Sequence, residues 1–227
     1  MKGKLIVIDG TDGSGKATQV VGIKKRLVNE GVAVESLDFP RYYHNFFGEM
    51  IGEALKGEYG DWAGTHPKIA SVMYANDRAE SAPQIKQWLE EGNVVILDRY
   101  VSSNQIHQGG KIKNLDERKE FLGWLDTMEH EIMKIPRPDM ILYLDVPIVI
   151  TQKLLIEKGN KESKKYLEGQ GDQHEDNPQH LEDAKQSGLK MIADNNNWIK
   201  IECAPEGTLR SIEDIHADIY AEIKKLI

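Results

Sequence analysis

The chain has 227 residues, enough for one well-packed α/β domain and short for two. A formal net charge of -8 argues against a nucleic-acid binder that works by neutralising many phosphates. No apolar run approaches the roughly 20 residues of a membrane span, and Met1-Lys2-Gly3-Lys4 leads straight into a strand with no room for a signal peptide, so a cytoplasmic protein is expected. Cys203 is the only cysteine, which excludes an internal disulfide and a cysteine metal site and points to a buried, inert thiol.

The first apolar run, Lys4 to Asp9, reads as a buried strand, and Val20, Ile23 and Leu27 mark one face of the helix that follows. Between them lies Gly10-Thr11-Asp12-Gly13-Ser14-Gly15-Lys16-Ala17-Thr18. Its glycines let several backbone N–H groups converge on one anion, the helix N-terminus adds partial positive charge, and Lys16 adds a full one. That geometry suits a triphosphate. Ala17 stands where a hydroxyl normally ligates magnesium, and Thr18 is the neighbouring candidate for that duty.

A second strand at 32–39 is stopped by Pro40, and Arg41 beyond it falls on the ligand edge of a parallel sheet, as a phosphate contact or as a solvated loop arginine. Phe47, Met50, Ile51, Ala54 and Leu55 predict a packing helix that stops at Gly57. His66 to Glu91 reads as helix with a break at Pro83 and a wide apolar face from Val72 to Trp88. Tyr74 and Arg78 share one face, either to stack on and donate to a base or to contact each other.

Asn93 to Asp98 is a third strand, and its terminal carboxylate fits a magnesium site beside a phosphate loop. Arg99 is suited to bidentate phosphate contact. Ser102 to Gly109 is unusually polar for a segment packed near the site, and a nucleobase edge is one partner that would satisfy it. Leu115 to Lys134 reads as one helix with Phe121, Leu122, Leu125, Met128 and Ile132 inward, Met140 to Val146 as a fourth strand, and Pro147 as the start of another helix. Residues 158–180 lose apolar periodicity and carry Lys158, Lys161, Lys164 and Lys165, as a mobile LID or as a solvated charged loop; His174 and His180 lack metal-ligand spacing. Trp198 to Ile201 is the fifth strand. A Ser211/Asp214 capping box then opens a helix with Ile212, Ile215, Ile219 and Ile223 inward.

The phosphate loop, Phe39-Pro40-Arg41, Tyr74-Ala75-Asn76-Asp77-Arg78, Asp98-Arg99-Tyr100 with Ser103 and Gln108, and Asp172-Gln173-His174-Glu175 together resemble the thymidylate kinase family over nearly the whole chain. The resemblance implies a single P-loop NTPase domain over 1–227, with a five-stranded parallel sheet, helices on both faces and the LID at about 158–180. It implies phosphoryl transfer from ATP, with Mg2+, to dTMP, giving ADP and dTDP for dTTP synthesis, in a cytoplasmic homodimer that binds no nucleic acid or membrane. ATP would lie on Gly10, Asp12, Gly13, Ser14, Gly15, Lys16, Ala17 and Thr18. Asp12 would also meet the deoxyribose hydroxyl, and Arg41 and Arg99 would grip the acceptor phosphate. Phe39, Tyr74, Arg78, Ser103 and Gln108 would complete the dTMP site, with Tyr74 in place of the usual phenylalanine. Asp98 and Thr18 would hold the metal. Catalysis would fall to Lys16, Asp98 and Arg99 with Lys161, Lys164 or Lys165, because no arginine occurs between positions 138 and 209. Ile106-His107 departs from the family's common Ala-Tyr. A deoxynucleoside kinase, another nucleoside monophosphate kinase and a non-catalytic ATP-binding regulator are the competing readings.

Overall fold

The computed structural model describes residues 3–159 and 178–227. Five strands, β1 (Lys4–Gly10), β2 (Val34–Asp38), β3 (Val94–Asp98), β4 (Met140–Asp145) and β5 (Trp198–Glu202), form one parallel sheet in the order β2-β3-β1-β4-β5. A parallel sheet is covered on both faces, which is why its central strands are continuous apolar runs. Strand pleating divides them. Ile6, Ile8, Ile96, Leu142 and Leu144 pack against α1 (Lys16–Asn29) and α8 (Ile212–Leu226). Leu5, Val7, Val95, Leu97 and Tyr143 point the other way, onto Ala82 and Ile85 of α3 (Pro67–Glu90) and Ala184 and Met191 of α7 (Pro178–Asp194).

Between these lie α2 (Phe46–Lys56), α4 (Val101–Ser103), α5 (Leu115–Asp126) and α6 (Ile148–Gly159). Gly57 ends α2 at φ 90°, where a glycine escapes the left-handed strain of other residues. The register sets Ile8 opposite Asp98 and Gly10 opposite Leu144, so the β1 loop and the residues after β3 emerge side by side.

Three expectations are corrected, and a fourth falls largely outside the described residues. α3 runs through Pro83 without a break: Ala82 and Ile85 are buried beside it, and their packing outweighs the missing backbone bond. The helix from Leu115 changes at Thr127 into a π-helical turn, Thr127–Ile132, which leaves Ile132 71% exposed and buries Glu129 completely. Ile212, the first residue of α8, is also exposed, although Ser211 caps the helix as expected by accepting the Asp214 N–H at 3.0 Å. Both ends of the expected LID are helix, because α6 reaches Gly159 and α7 starts at Pro178; Lys161, Lys164 and Lys165 lie outside the described residues. Among the described residues no helix is long and apolar enough to cross a membrane.

Cys203 is buried just past β5, and burial pushes its thiol up to about 12. In a thiol-reagent assay at pH 8 the native protein should therefore stay unlabelled and react only as fast as it unfolds; labelling of the native state at the rate of a free thiol would contradict this packing.

Candidate active site

The loop after β1 turns through Gly13 (φ 80°) and Gly15 (φ 89°). A Cβ on Gly13 would come within 2.5 Å of the Thr151 carbonyl, so this glycine also allows close approach to α6. Lys16 opens α1, is buried, and donates its ammonium to the Gly10 and Thr11 carbonyls at 3.1 and 2.9 Å. Burial lowers its pKa and the Arg99 charge lowers it further, while Asp12, Asp98 and Asp9 oppose both. The buried hydroxyls of Thr11 and Ser14 have no protein partner.

Asp9, fully buried at the end of β1, accepts from the Gly10 N–H at 2.8 Å, from the Ser102 hydroxyl at 2.5 Å and from Ser103 at 2.9 Å. It thereby ties the loop to the segment after β3. There Arg99 adopts the left-handed φ of 65°, rare for a non-glycine residue, and its two terminal nitrogens divide. Nη2 pairs with Asp12, and Nη1 donates to Nε2 of His107 at 3.1 Å. Burial opposes the Arg99 charge, yet Asp12, Asp9 and Asp98 together raise its pKa. Burial likewise raises the pKa of Asp98, against Lys16 and Arg99.

The far wall comes from α3 and the π-helical turn Asn104–Gln108. Arg78 makes a buried bidentate pair with Glu129, at 2.7 and 2.6 Å, and Asn104 donates to the same carboxylate at 3.0 Å. The Tyr74 hydroxyl accepts from the Trp62 indole at 3.2 Å, which fixes its ring. Gln108 leaves its buried Oε1 without a protein partner, as does the Tyr100 hydroxyl.

These groups enclose one cavity of about 550 Å³, within the range of small-molecule sites. Asp12 through Thr18, Phe39, Tyr74, Arg78, Asp98, Arg99, Ser103 and Gln108 all line it, and Gly10 forms the strand end beneath. Ser103 reaches the lining with its hydroxyl already given to Asp9. Arg41 is not in the lining: its guanidinium turns to Asp38 at 3.1 Å, while its backbone N–H donates to Asp77 at 3.2 Å. Among the described residues no cluster of three or more His, Cys, Asp or Glu forms a metal cage.

Sequence reasoning missed Asp9, Asn104, His107 as an arginine partner, and Glu129. A signal existed for the last: Glu129 lies four residues after the inward-facing Leu125, on a face otherwise apolar.

A thymidylate kinase family model matches residues 8–219. The chain belongs to the thymidylate kinase family. A family relative from Plasmodium falciparum is 29% identical over 227 residues, covering 99% of this chain and 91% of that protein. A probable thymidylate kinase from Pyrococcus horikoshii is 31% identical, covering 99% and 97%. The Mycobacterium tuberculosis thymidylate kinase is 34% identical over 142 residues, 63% of this chain and just 65% of that protein. The solved thymidylate kinase of Candida albicans shares the fold, with a TM-score of 0.71 at 22% identity over 99% of this chain and 92% of that one.

The cavity wall rests on the buried Arg78–Glu129 pair. Replacing Glu129 by alanine leaves the Arg78 guanidinium buried and uncompensated and should cost about 3–5 kcal/mol in chemical denaturation. A loss below about 1 kcal/mol would show that the pair does not hold the wall.

Proposed function

We propose that this chain transfers the γ-phosphoryl group of ATP to dTMP, giving ADP and dTDP on the way to dTTP. The carrying observation is the position of Arg99. Its guanidinium pairs with Asp12 of the phosphate loop, and Arg99 lines the same cavity as Tyr74, Arg78 and Gln108 of the far wall. An acceptor whose phosphate meets Arg99 has its base directed at that wall, and a triphosphate on the loop meets the same phosphate from the other side.

The nucleophile is then an acceptor phosphate oxygen, anionic at neutral pH, so no general base is needed. The chain must instead hold two repelling anions in line and exclude water. Lys16 exchanges its two loop carbonyls for phosphate oxygens, and the lowered pKa that burial imposes on it is relieved by that negative charge. The unpartnered Ser14 hydroxyl and the backbone N–H groups of the loop complete the cradle. Asp98 and Thr18 would hold a magnesium ion: burial raises the pKa of the Asp98 carboxylate, which a cation would offset, and Thr18 lines the cavity and carries the hydroxyl that Ala17 lacks. That ion supplies charge neutralisation on the transferred phosphate.

At the wall, Tyr74 stacks on the base, and Arg78, already shaped by Glu129, faces its carbonyl edge. Gln108 Oε1 is a ready acceptor for a base N–H. Arg41 reaches the acceptor phosphate by leaving Asp38, an exposed partner that holds it weakly. Cytoplasmic location and homodimerisation are part of the proposal on the strength of the family.

The test is ADP release from ATP and Mg2+ with a panel of acceptors. dTMP should be the preferred acceptor and thymidine should give no turnover; a protein that binds ATP yet phosphorylates no nucleoside monophosphate overturns the proposal. Lys16→Ala should lower kcat by about 10²–10³-fold or more while the circular dichroism spectrum stays that of the wild type.

A further inference from the structure

Asp77 lies in the middle of α3, one residue before Arg78, and is only 1% exposed although it carries a carboxylate. Its donors come from the segment between β2 and α2. The Arg41 N–H reaches both carboxylate oxygens, at 3.2 and 3.3 Å, and the Asn45 amide donates to Oδ1 at 2.8 Å. The orientation of that amide is set from both ends. Asn45 Oδ1 accepts the Gly48 N–H at 2.7 Å as the cap of α2, so Nδ2 is the atom turned to Asp77, where it also meets the backbone carbonyl at 3.1 Å. Position 77 must therefore present an acceptor. Burial raises the pKa of Asp77, and the Asn45 donor, the Arg78 charge and the Arg41 N–H work against that rise. The Arg41 carbonyl is held as closely as its N–H: it accepts the His44 N–H at 3.0 Å, and a Cβ on Gly48 would overlap it. Only the side chain is left loose. Its guanidinium rests on Asp38 at 3.1 Å, an exposed partner in a pair worth little, and Asp38 itself lines the cavity.

We propose that Asp77 is a positioning residue for the acceptor phosphate: it anchors the Arg41 backbone, so that the guanidinium exchanges Asp38 for phosphate by side-chain rotation alone. The proposal rests on the reading of Arg41 as an acceptor-phosphate ligand. A segment ordered only when the phosphate arrives takes that cost out of the binding free energy, whereas one anchored beforehand has met it on folding. Asn45 and Gly48 serve the same end from the first turn of α2, one by holding the Asp77 carboxylate and the other by leaving room for the Arg41 carbonyl. Because Asp77 adjoins Arg78 on α3, the anchor also fixes the phosphate end of the acceptor site relative to its base end.

The experiment measures Kd for dTMP and for thymidine by calorimetry in the wild type, Arg41→Ala, Asp77→Ala, Gly48→Ala and the Arg41→Ala/Asp77→Ala double variant. Hydrogen exchange of the Arg41 amide is followed in the wild type and in Asp77→Ala. That amide should be protected in the wild type and exchange at least about tenfold faster in Asp77→Ala. dTMP should bind about tenfold more weakly to Arg41→Ala, Asp77→Ala and Gly48→Ala, while thymidine, which has no phosphate, keeps its wild-type Kd in all three. The double variant should bind dTMP no more weakly than Arg41→Ala, because Asp77 acts through Arg41. Wild-type affinity for dTMP in Asp77→Ala, an equal loss for thymidine, or a further loss in the double variant overturns the proposal. If Asp77→Ala does not fold, Gly48→Ala decides by the same comparison of dTMP with thymidine. Wild-type affinity for dTMP in Arg41→Ala, or no binding of dTMP to the wild type, would instead defeat the functional reading, and the exchange rates would still decide whether Asp77 anchors this backbone.

Discussion

The mouth of the sheet depends on the Asp9 carboxylate. A fully buried carboxylate is costly unless its oxygens are hydrogen-bonded, and Asp9 is satisfied by donors from two sources: the Gly10 N–H at the head of the phosphate loop, and the Ser102 and Ser103 hydroxyls that follow β3. Two loops that would otherwise move independently are thereby joined at their roots. Lys16 and Asp12 on one, and Arg99, His107 and Gln108 on the other, keep fixed relative positions before any ligand arrives. Preorganisation of this kind is what a site for two mutually repelling anions requires.

Charge is arranged to the same end. The chain is acidic overall, yet its cavity presents Lys16, Arg78 and Arg99, each buried or nearly so and each held by acceptors on the protein. The holds differ in strength. Arg78 shares a completely buried bidentate pair and belongs to the wall, whereas Lys16 rests on two carbonyl oxygens that cannot neutralise it. The permanent pairing shapes the base end, and the weaker one leaves charge available where phosphate is proposed to bind.

Much of this was legible in the residues. The five strands are short apolar runs with clear stops, the phosphate loop is a spaced motif, and, among the described residues, every expected binding and catalytic residue but Arg41 lines the cavity or forms its base. What escaped depends on partners distant in sequence. Glu129 is read as an anomaly on an apolar face until Arg78, 51 positions away, is placed against it. Arg41 was expected at the acceptor phosphate, but Asp38 and Asp77 decide its orientation in this structure. The continuity of α3 through Pro83 and the π-helical turn at Thr127 follow from what the neighbouring side chains bury, which local propensity does not contain.

The central claim is that one cleft holds the donor's phosphates and the acceptor's phosphate against each other across Arg99. Calorimetric titration with a bisubstrate analogue, adenosine and thymidine joined through a polyphosphate, measures this directly. One molecule should bind per chain, more tightly than ATP or dTMP alone, and either nucleotide should compete with it. Binding that ATP displaces but dTMP does not would place the acceptor elsewhere and contradict the account.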